Sequence, residues 1–444
     1  MPTPTSLRRT LGPRAAVALG VGGTVGGGIF VLVGSAAGTA GPAALAAFCV
    51  AFAAALLIAL PYAELACRLP LAGGGYAFAR RVLGPRWGFA MGWIYWGAYI
   101  FVSGYVTIGF GGYLAAATGL PASVGAVGLV VVCTGVNLLG VRVAGAAQTV
   151  VIVVAVAGLA AFAAWGVPDA DPGRLVPFAP HGAGGVLLAA LPAFLAFGGF
   201  DMIAAAGEEV RDPGRNLPRA ILATLFTVLA LYLLVTYVAL GTLRWGRLGA
   251  SAAPLADAAD AFAGPAGRHL VVACALLTTA ATANAVVVVT SRTVFAMARD
   301  RLLLKPLARV GARTGAPWPA VLLSGALMAL VAGLGSVRVS SAAGGFLFVL
   351  HFVPPLIALL VLRRRGGPRP AFATPLPRVV LPLAFAAAAL LIATSGRTGA
   401  AVGTSWLAIG AVYAAVRAVL RRLLRGHRSG IEQGSENIGA ARYY

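Results

Sequence analysis

The chain has 444 residues but only 12 acidic side chains, so acids set in apolar sequence stand out. Three places qualify: Glu64, Asp201 and the pair Glu208-Glu209. An ionisable group at membrane depth is costly and is a functional candidate by default. Most other acids, such as Asp169, Asp171, Asp257, Asp260 and Glu432, fall in polar connecting stretches or the tail. A second set of capable residues has no side chain at all. The stretch "GVGGTVGGGIF", residues 20–30, places Gly26, Gly27 and Gly28 inside an apolar run. Glycine costs about 1 kcal/mol against alanine in a helix interior, so three in succession predict a break. A further run, "LLAALPAFLAFGGFDMIAAAGEEV", has Gly198-Gly199 at its centre, followed by Phe200 and Asp201.

A helix broken within a bilayer exposes free N–H groups at the start of one half and free C=O groups at the end of the other. The N–H end is partly positive and suits a carboxylate; the C=O end suits an ammonium group. Together they fit the head group of an α-amino acid. Helix packing through small residues, with Gly22 and Gly26 or Gly34 and Gly38 spaced by four, is the competing explanation. It does not account for three adjacent glycines or for the matching break downstream. A phosphate-binding loop is excluded, because no Lys-Ser or Lys-Thr follows the glycines.

The remaining reactive residues form no constellation. Cys49, Cys67, Cys133 and Cys274 include no C-x-x-C pair, and His181, His269, His351 and His427 are scattered. No metal site, cofactor or enzyme active site is expected.

The elements that must position these residues follow from hydropathy. The chain is 60% hydrophobic and 10% charged, the composition of a polytopic membrane protein. Apolar runs predict twelve spans: 14–38, 42–66, 87–115, 121–139, 142–166, 184–209, 218–242, 268–298, 317–335, 341–362, 378–396 and 402–423. The first run is too long for the core of a leader, so no cleaved leader is expected. With the N-terminus inside, all but six of the 34 basic residues (Arg174, Arg244, Arg247, Arg268, Arg338 and Arg397) fall on the cytoplasmic side. A multi-pass protein of the cytoplasmic membrane with both termini inside is expected. The net charge of +22 is spread in short clusters between spans, which points to an anionic leaflet and not to nucleic acid.

The broken spans are the first and sixth. That separation is what an inverted repeat of five plus five helices would give, with two helices added at the end. The expected organisation is an N-terminal segment 1–13, a first repeat 14–166, a second repeat 184–362, two extra spans within 378–423 and a tail 424–444.

Four stretches, "TVGGGIFVLVG", "PYAELACRLPLAGGGYAFA", "AFGGFDMIAAAGEEVRDPGRNLPRAI" and "RTVFAMARDRLLLKPLARV", resemble the amino acid–polyamine–organocation superfamily. Within it the chain is most similar to bacterial permeases related to cationic amino acid transporters. The resemblance covers spans 1 to 10. It implies an all-α LeuT-like fold and a secondary transporter that holds its substrate at the unwound parts of spans 1 and 6. Gly26, Gly27 and Gly28 match the family's triplet, whose N–H groups take the substrate carboxylate. Thr24 and Val25, with Phe197, Gly198 and Gly199 opposite, would face the ammonium, and Phe200 falls where the family places an aromatic lid. The substrate is expected to be an amino acid, with a polyamine or other organic cation as the alternative.

Asp201 has three readings: partner of a cationic side chain, carrier of a coupling proton, or acceptor that pins the broken helix. Glu208 and Glu209 are read as an inner gate or a solvated helix end. Glu64, with Arg68 four residues on, is a gating candidate or a simple surface-level pair. Trp93, Tyr95 and Trp96 read as an interfacial belt, with Ser103 and Tyr105 facing a cavity. The sequence departs from proton-coupled relatives at one point. Their span-5 lysine falls at Ala155 here, so lysine-based proton coupling is not expected. Sodium would need oxygens such as those of Thr278, Thr279, Thr282 and Asn284, and facilitated exchange needs no ion.

Overall fold

A computed structural model describes residues 11–71, 73–140, 144–205, 207–366 and 368–440. Of the expectations above, those on residues 1–10, on Arg142 and on 441–444 lie outside the described residues. The helices are α1 Pro13–Thr24, α2 Gly27–Ala40, α3 Ala44–Arg68, α4 Gly74–Leu83, α5 Pro85–Thr118 and α6 Ala122–Leu138. Next come α7 Ala144–Gly166, α8 Gly182–Ala196, α9 Phe200–Ala205, α10 Pro213–Thr242, α11 Trp245–Ala250 and α12 Pro254–Arg299. The last are α13 Trp318–Gly333, α14 Val337–Leu350, α15 Val353–Arg365, α16 Pro377–Ala393 and α17 Gly396–Ala440. No β-strand occurs among the described residues; one parallel bridge joins Leu11 to Val210.

Seven helical segments are long and apolar enough to cross a membrane: Gly27–Arg68, Pro85–Thr118, Gly182–Ala204, Pro213–Thr242, Pro254–Arg299, Val337–Arg365 and Gly396–Val419. Four shorter apolar helices accompany them. Apolar side chains such as Val131, Val132, Val153 and Leu330 point outward. That surface fits hydrocarbon, and helices satisfy their own backbone there. The chain is thus a helical, polytopic membrane protein.

Helix boundaries follow from proline and glycine. Proline opens α5, α10, α12 and α16, where its missing N–H costs nothing. Gly119, at φ 73°, closes α5 in the left-handed region. Gly264, at φ 60° and followed by Pro265, bends α12, so its straight part begins near the expected start of span 8. The expected last span, 402–423, runs on in α17 to Ala440. Helix α5 is central and packs on α12, α14 and α6. The broken elements meet in pairs, with α1 against α9 and α2 against α8.

Two expectations are corrected by burial. Trp93 and Trp96 are buried within protein, not set in an interfacial belt. Trp93 Nε1 donates to the Trp406 carbonyl and Trp406 Nε1 to the Trp93 carbonyl, each at 2.9 Å, which locks α17 to α5. Trp96 Nε1 donates to Ser324 Oγ at 3.3 Å. Glu64 is likewise no surface-level partner. Its side chain is fully buried, and besides Arg68 Nε at 2.9 Å it accepts two bonds from the Arg363 guanidinium. The Thr374 N–H adds a fourth at 2.9 Å. One carboxylate therefore joins α3, α15 and the segment before α16, because two arginines and an amide compensate its lost hydration.

Nearby, Asp300 accepts from Tyr76 at 2.8 Å and pairs with Arg80, tying α4 to the end of α12. Burial pushes the Tyr76 hydroxyl above the ordinary phenol value, although Arg80 and Arg299 pull it down. Tyr76 therefore stays a neutral donor at physiological pH.

Glu64→Gln should leave Arg68 and Arg363 facing each other without their counter-charge. The expected cost is about 1–3 kcal/mol, read as an earlier melting transition of the detergent-purified protein. A transition at the wild-type temperature would show that the network contributes nothing.

Candidate functional site

The first break spans two residues. Val25 N–H returns to the Val21 carbonyl at 2.6 Å and Gly26 N–H to the Thr24 carbonyl at 2.8 Å. Gly26 is extended (φ −109°, ψ −158°), and α2 starts afresh at Gly27. Each glycine of the triplet is required by a different neighbour. A Cβ on Gly26 would stand 2.8 Å from Thr282 Oγ1, and one on Gly27 2.8 Å from Thr279 Cγ2. One on Gly28 would stand 3.2 Å from Ala196 Cα. The break is thus pressed against α12 on one side and α8 on the other. Gly27 N–H donates to Thr282 Oγ1 at 3.0 Å, and that hydroxyl donates to the Thr278 carbonyl at 2.8 Å.

The second break follows Ala196. Phe197 and Gly198 N–H turn back to the carbonyls of Phe194 and Leu195, each at 3.0 Å. Gly199 takes φ 122°, and a Cβ there would fall on the Gly23 carbonyl. Only glycine meets both demands. The two breaks therefore touch backbone to backbone. Tyr232 of α10 secures them: its buried hydroxyl lies 3.0 Å from the Thr24 carbonyl and 3.0 Å from the Ala196 carbonyl. Those carbonyls end α1 and α8. Nothing in the sequence singles out Tyr232, which lies 208 and 36 residues from its two partners.

A cavity of about 140 Å³ lies between the breaks. This is the scale of a small solute, below the several hundred Å³ of drug-sized pockets. Thr24, Gly26, Gly28, Gly198 and Gly199 line it. So do Tyr99, Tyr105, Thr282 and Phe348, and apolar side chains including Ile152, Val286 and Met202. Among the described residues, no charged side chain is in this lining. Thr24 Oγ1 is buried with no hydrogen-bond partner among the described residues, and the buried Tyr99 ring lies 4.7 Å from that of Tyr95.

The other sequence-derived candidates stand elsewhere. Val25, Gly27 and Phe197 are buried behind the wall. Phe197 packs on Phe48 and Tyr232 with ring centroids 6.4 and 5.5 Å away. Phe200 is not in the cavity lining; it stacks on Phe352 at 5.1 Å, and Phe348 joins Tyr99 and Tyr105 as the aromatic residues on the cavity wall. Asp201 lines a second cavity of about 300 Å³ with Tyr62, Gly73, Tyr76, Tyr95 and Arg292. Its Oδ1 has no hydrogen-bond partner in the protein, so that oxygen pins no backbone N–H of the broken helix. His351, one of the scattered histidines, comes within 3.7 Å of Asp201. Tyr105 reaches the first cavity as expected, whereas Ser103 donates to the Ile100 carbonyl at 2.6 Å. Near Glu208 and Glu209 the chain is clipped to its N-terminal segment. Leu11 N–H donates to the Glu209 carbonyl at 2.9 Å, and Arg211 N–H to the Leu11 carbonyl at 2.8 Å.

Thr278 and Thr279 donate to carbonyls one turn back, at 2.6 Å each, as hydroxyls in apolar helices commonly do. Asn284 Oδ1 accepts from Asn137 at 2.8 Å. Ala155 is fully buried on α7, one turn from the cavity residue Ile152.

Known proteins bear on what these paired breaks do. A profile of the amino acid permease family matches residues 16–362. An uncharacterized transporter of Mycobacterium tuberculosis is 35% identical over 381 residues, 82% of this chain and 83% of its own. The branched-chain amino acid permease of Bacillus subtilis is 30% identical over 421 residues, covering 88% and 89%. Cationic amino acid transporter 4 of Mus musculus is 32% identical over 413 residues, covering 84% of this chain and 63% of its own. The chain belongs to the amino acid permease family, a family of membrane transporters and not of enzymes.

Proposed function

We propose that the protein carries a small neutral amino acid across the cytoplasmic membrane by alternating access, holding the head group between the two breaks. The observation behind this is the Thr24 hydroxyl, buried and without a hydrogen-bond partner among the described residues, on the wall of the cavity where the half-helices converge. Buried polar groups without partners are rare and call for an explanation. A zwitterion supplies one. Its carboxylate meets the N-terminal amides of α2 beside Gly28, and its ammonium meets the carbonyl ends of α1 and α8. The apolar residues then face the side chain. The lack of a charged residue in this lining favours a neutral substrate, in line with the name of the Bacillus relative.

The cationic or polyamine reading draws on Asp201, which lies in the adjoining cavity. The proposed architecture is twelve spans in a LeuT-like five-plus-five repeat with two added helices and both termini cytoplasmic. The matched breaks and the arginine distribution support it.

Gly28→Val should abolish uptake while folded protein remains in the membrane, because the branched side chain meets α8 and fills the amide end of the site. Normal uptake by a stably inserted variant would refute the assignment. Tyr232→Phe removes the donor shared by both helix ends, and KM should rise roughly tenfold, the equivalent of about 1.4 kcal/mol. An unchanged KM would mean the hydroxyl is dispensable. In reconstituted vesicles, small neutral amino acids should compete with labelled substrate better than lysine, arginine or diamines. Preferential competition by the cations would favour the Asp201 reading.

A further inference from the structure

His351 lies in the turn between α14 and α15 and is fully buried. Its Nδ1 is against the Phe348 carbonyl, so that nitrogen holds a proton and donates it there. In the neutral ring Nε2 is then a bare lone pair. It faces Asp201 Oδ2 at 3.7 Å, and a carboxylate has only acceptors to offer. Nε2 is buried without a hydrogen-bond partner among the described residues, and so is Oδ1, the carboxylate's other oxygen. Two acceptors set against each other, Nε2 and Oδ2, are unfavourable, and one added proton converts them into a charge-assisted pair.

We propose that Asp201 and His351 together form the binding site of a coupling proton, doing the work for which α7 offers only Ala155. Loading adds a proton from outside water to Nε2, giving imidazolium and carboxylate with no net charge. Release passes that proton to water in the second cavity, leaving a neutral ring and a carboxylate. That cavity runs from Asp201 to the turn at Gly73 and to Arg292, at the arginine-rich end of the molecule.

Among the described residues lining this cavity, Arg292 of α12 is the one charged side chain besides Asp201. Tyr62 of α3, Tyr76 of α4 and Tyr95 and Tyr99 of α5 surround the pair. Helices α1 and α10 also pack on α9, but α1 has no charged residue after Arg14 and α10 none after Arg219. Tyr232 of α10 is engaged with the two helix ends. Arg292 keeps the cavity tolerable for the anionic, proton-free state.

The link to substrate is short. His351 is one turn from Phe348, whose ring centroid is 4.7 Å away and which lines the amino acid cavity. Asp201 follows the Gly199 break by two residues. Because 3.7 Å is longer than a hydrogen bond, protonation draws α9 and the α14–α15 turn together.

The proposal rests on the amino acid cavity being the transport site, and one set of vesicles separates the two. Amino acid exchange at equal pH reports the substrate site; accumulation driven by an acid-outside gradient reports the pair. Wild-type vesicles should accumulate labelled amino acid and lose it with a protonophore. His351→Gln and Asp201→Asn should keep exchange within about threefold of wild type but lose at least about tenfold of the gradient-driven accumulation. Wild-type accumulation by either variant, or wild-type exchange indifferent to the gradient, would overturn the proposal.

Should the variants lose exchange as well, the wild type alone decides. A trapped pH dye must then report proton entry with amino acid, and no proton entry refutes the pair. If the wild type exchanges no amino acid, the substrate reading fails. Titration of the purified protein then decides the pair: on acidification it should bind about one proton more than His351→Gln, and equal binding would overturn it.

Discussion

The centre of this protein depends on a close approach of two backbones. Gly199 sits against Gly23 and Thr24 with no space for a Cβ, and Gly28 sits nearly as close to Ala196. At both contacts the chains meet where helices end or begin. Each stop leaves amides and carbonyls that hydrocarbon would not tolerate. The structure answers with Thr282, which takes the Gly27 amide, and with Tyr232, which lies between the carbonyls of Thr24 and Ala196. What remains unpaired faces a cavity. The same constraint that forbids side chains at the breaks therefore creates the site.

The arginine-rich end is organised by a different interaction. Glu64 and Asp300 each gather several donors and tie together elements distant in sequence: α3 with α15, and α4 with α12. These contacts hold the ends of helices whose middles have little beyond apolar packing to fix them. In lipid such packing lacks the hydrophobic drive it has in water, so polar ties and close small-residue contacts carry more of the specificity. The reciprocal tryptophan bonds of Trp93 and Trp406 serve α5 and α17 in the same way.

The two cavities are lined by different residues: Tyr99 and Phe348 belong to the first, Tyr95 and Asp201 to the second. The one with the convergent backbone groups has no charge in its lining, and the one with Asp201 and Arg292 has little of the broken backbone. On the proposed reading, this division would keep recognition of a zwitterion, which needs dipoles, apart from the group that can gain or lose charge.

Much of this was legible in the sequence. Hydropathy is a local property, so long apolar segments could be read directly, and glycine's cost in a helix marked both breaks, at Gly26-Gly27-Gly28 and Gly198-Gly199. The four quoted stretches pointed to the family. Helix rotation was not legible. Helices that are apolar all round give no stripe from which to read an inward face; the resemblance alone put Phe200 over the cavity, and it stacks on Phe352 instead. The Trp93 cluster was read as interfacial because tryptophan's preference for that depth is also local, whereas its partner Trp406 lies 313 residues away. Glu64 showed its i,i+4 arginine but not Arg363, and His351 showed nothing until folding brought it to Asp201. The sequence by itself determined where the backbone must break and what chemistry broken backbone offers. Only the tertiary structure decided which side chains meet those breaks, because such meetings depend on how uniformly apolar helices turn against one another.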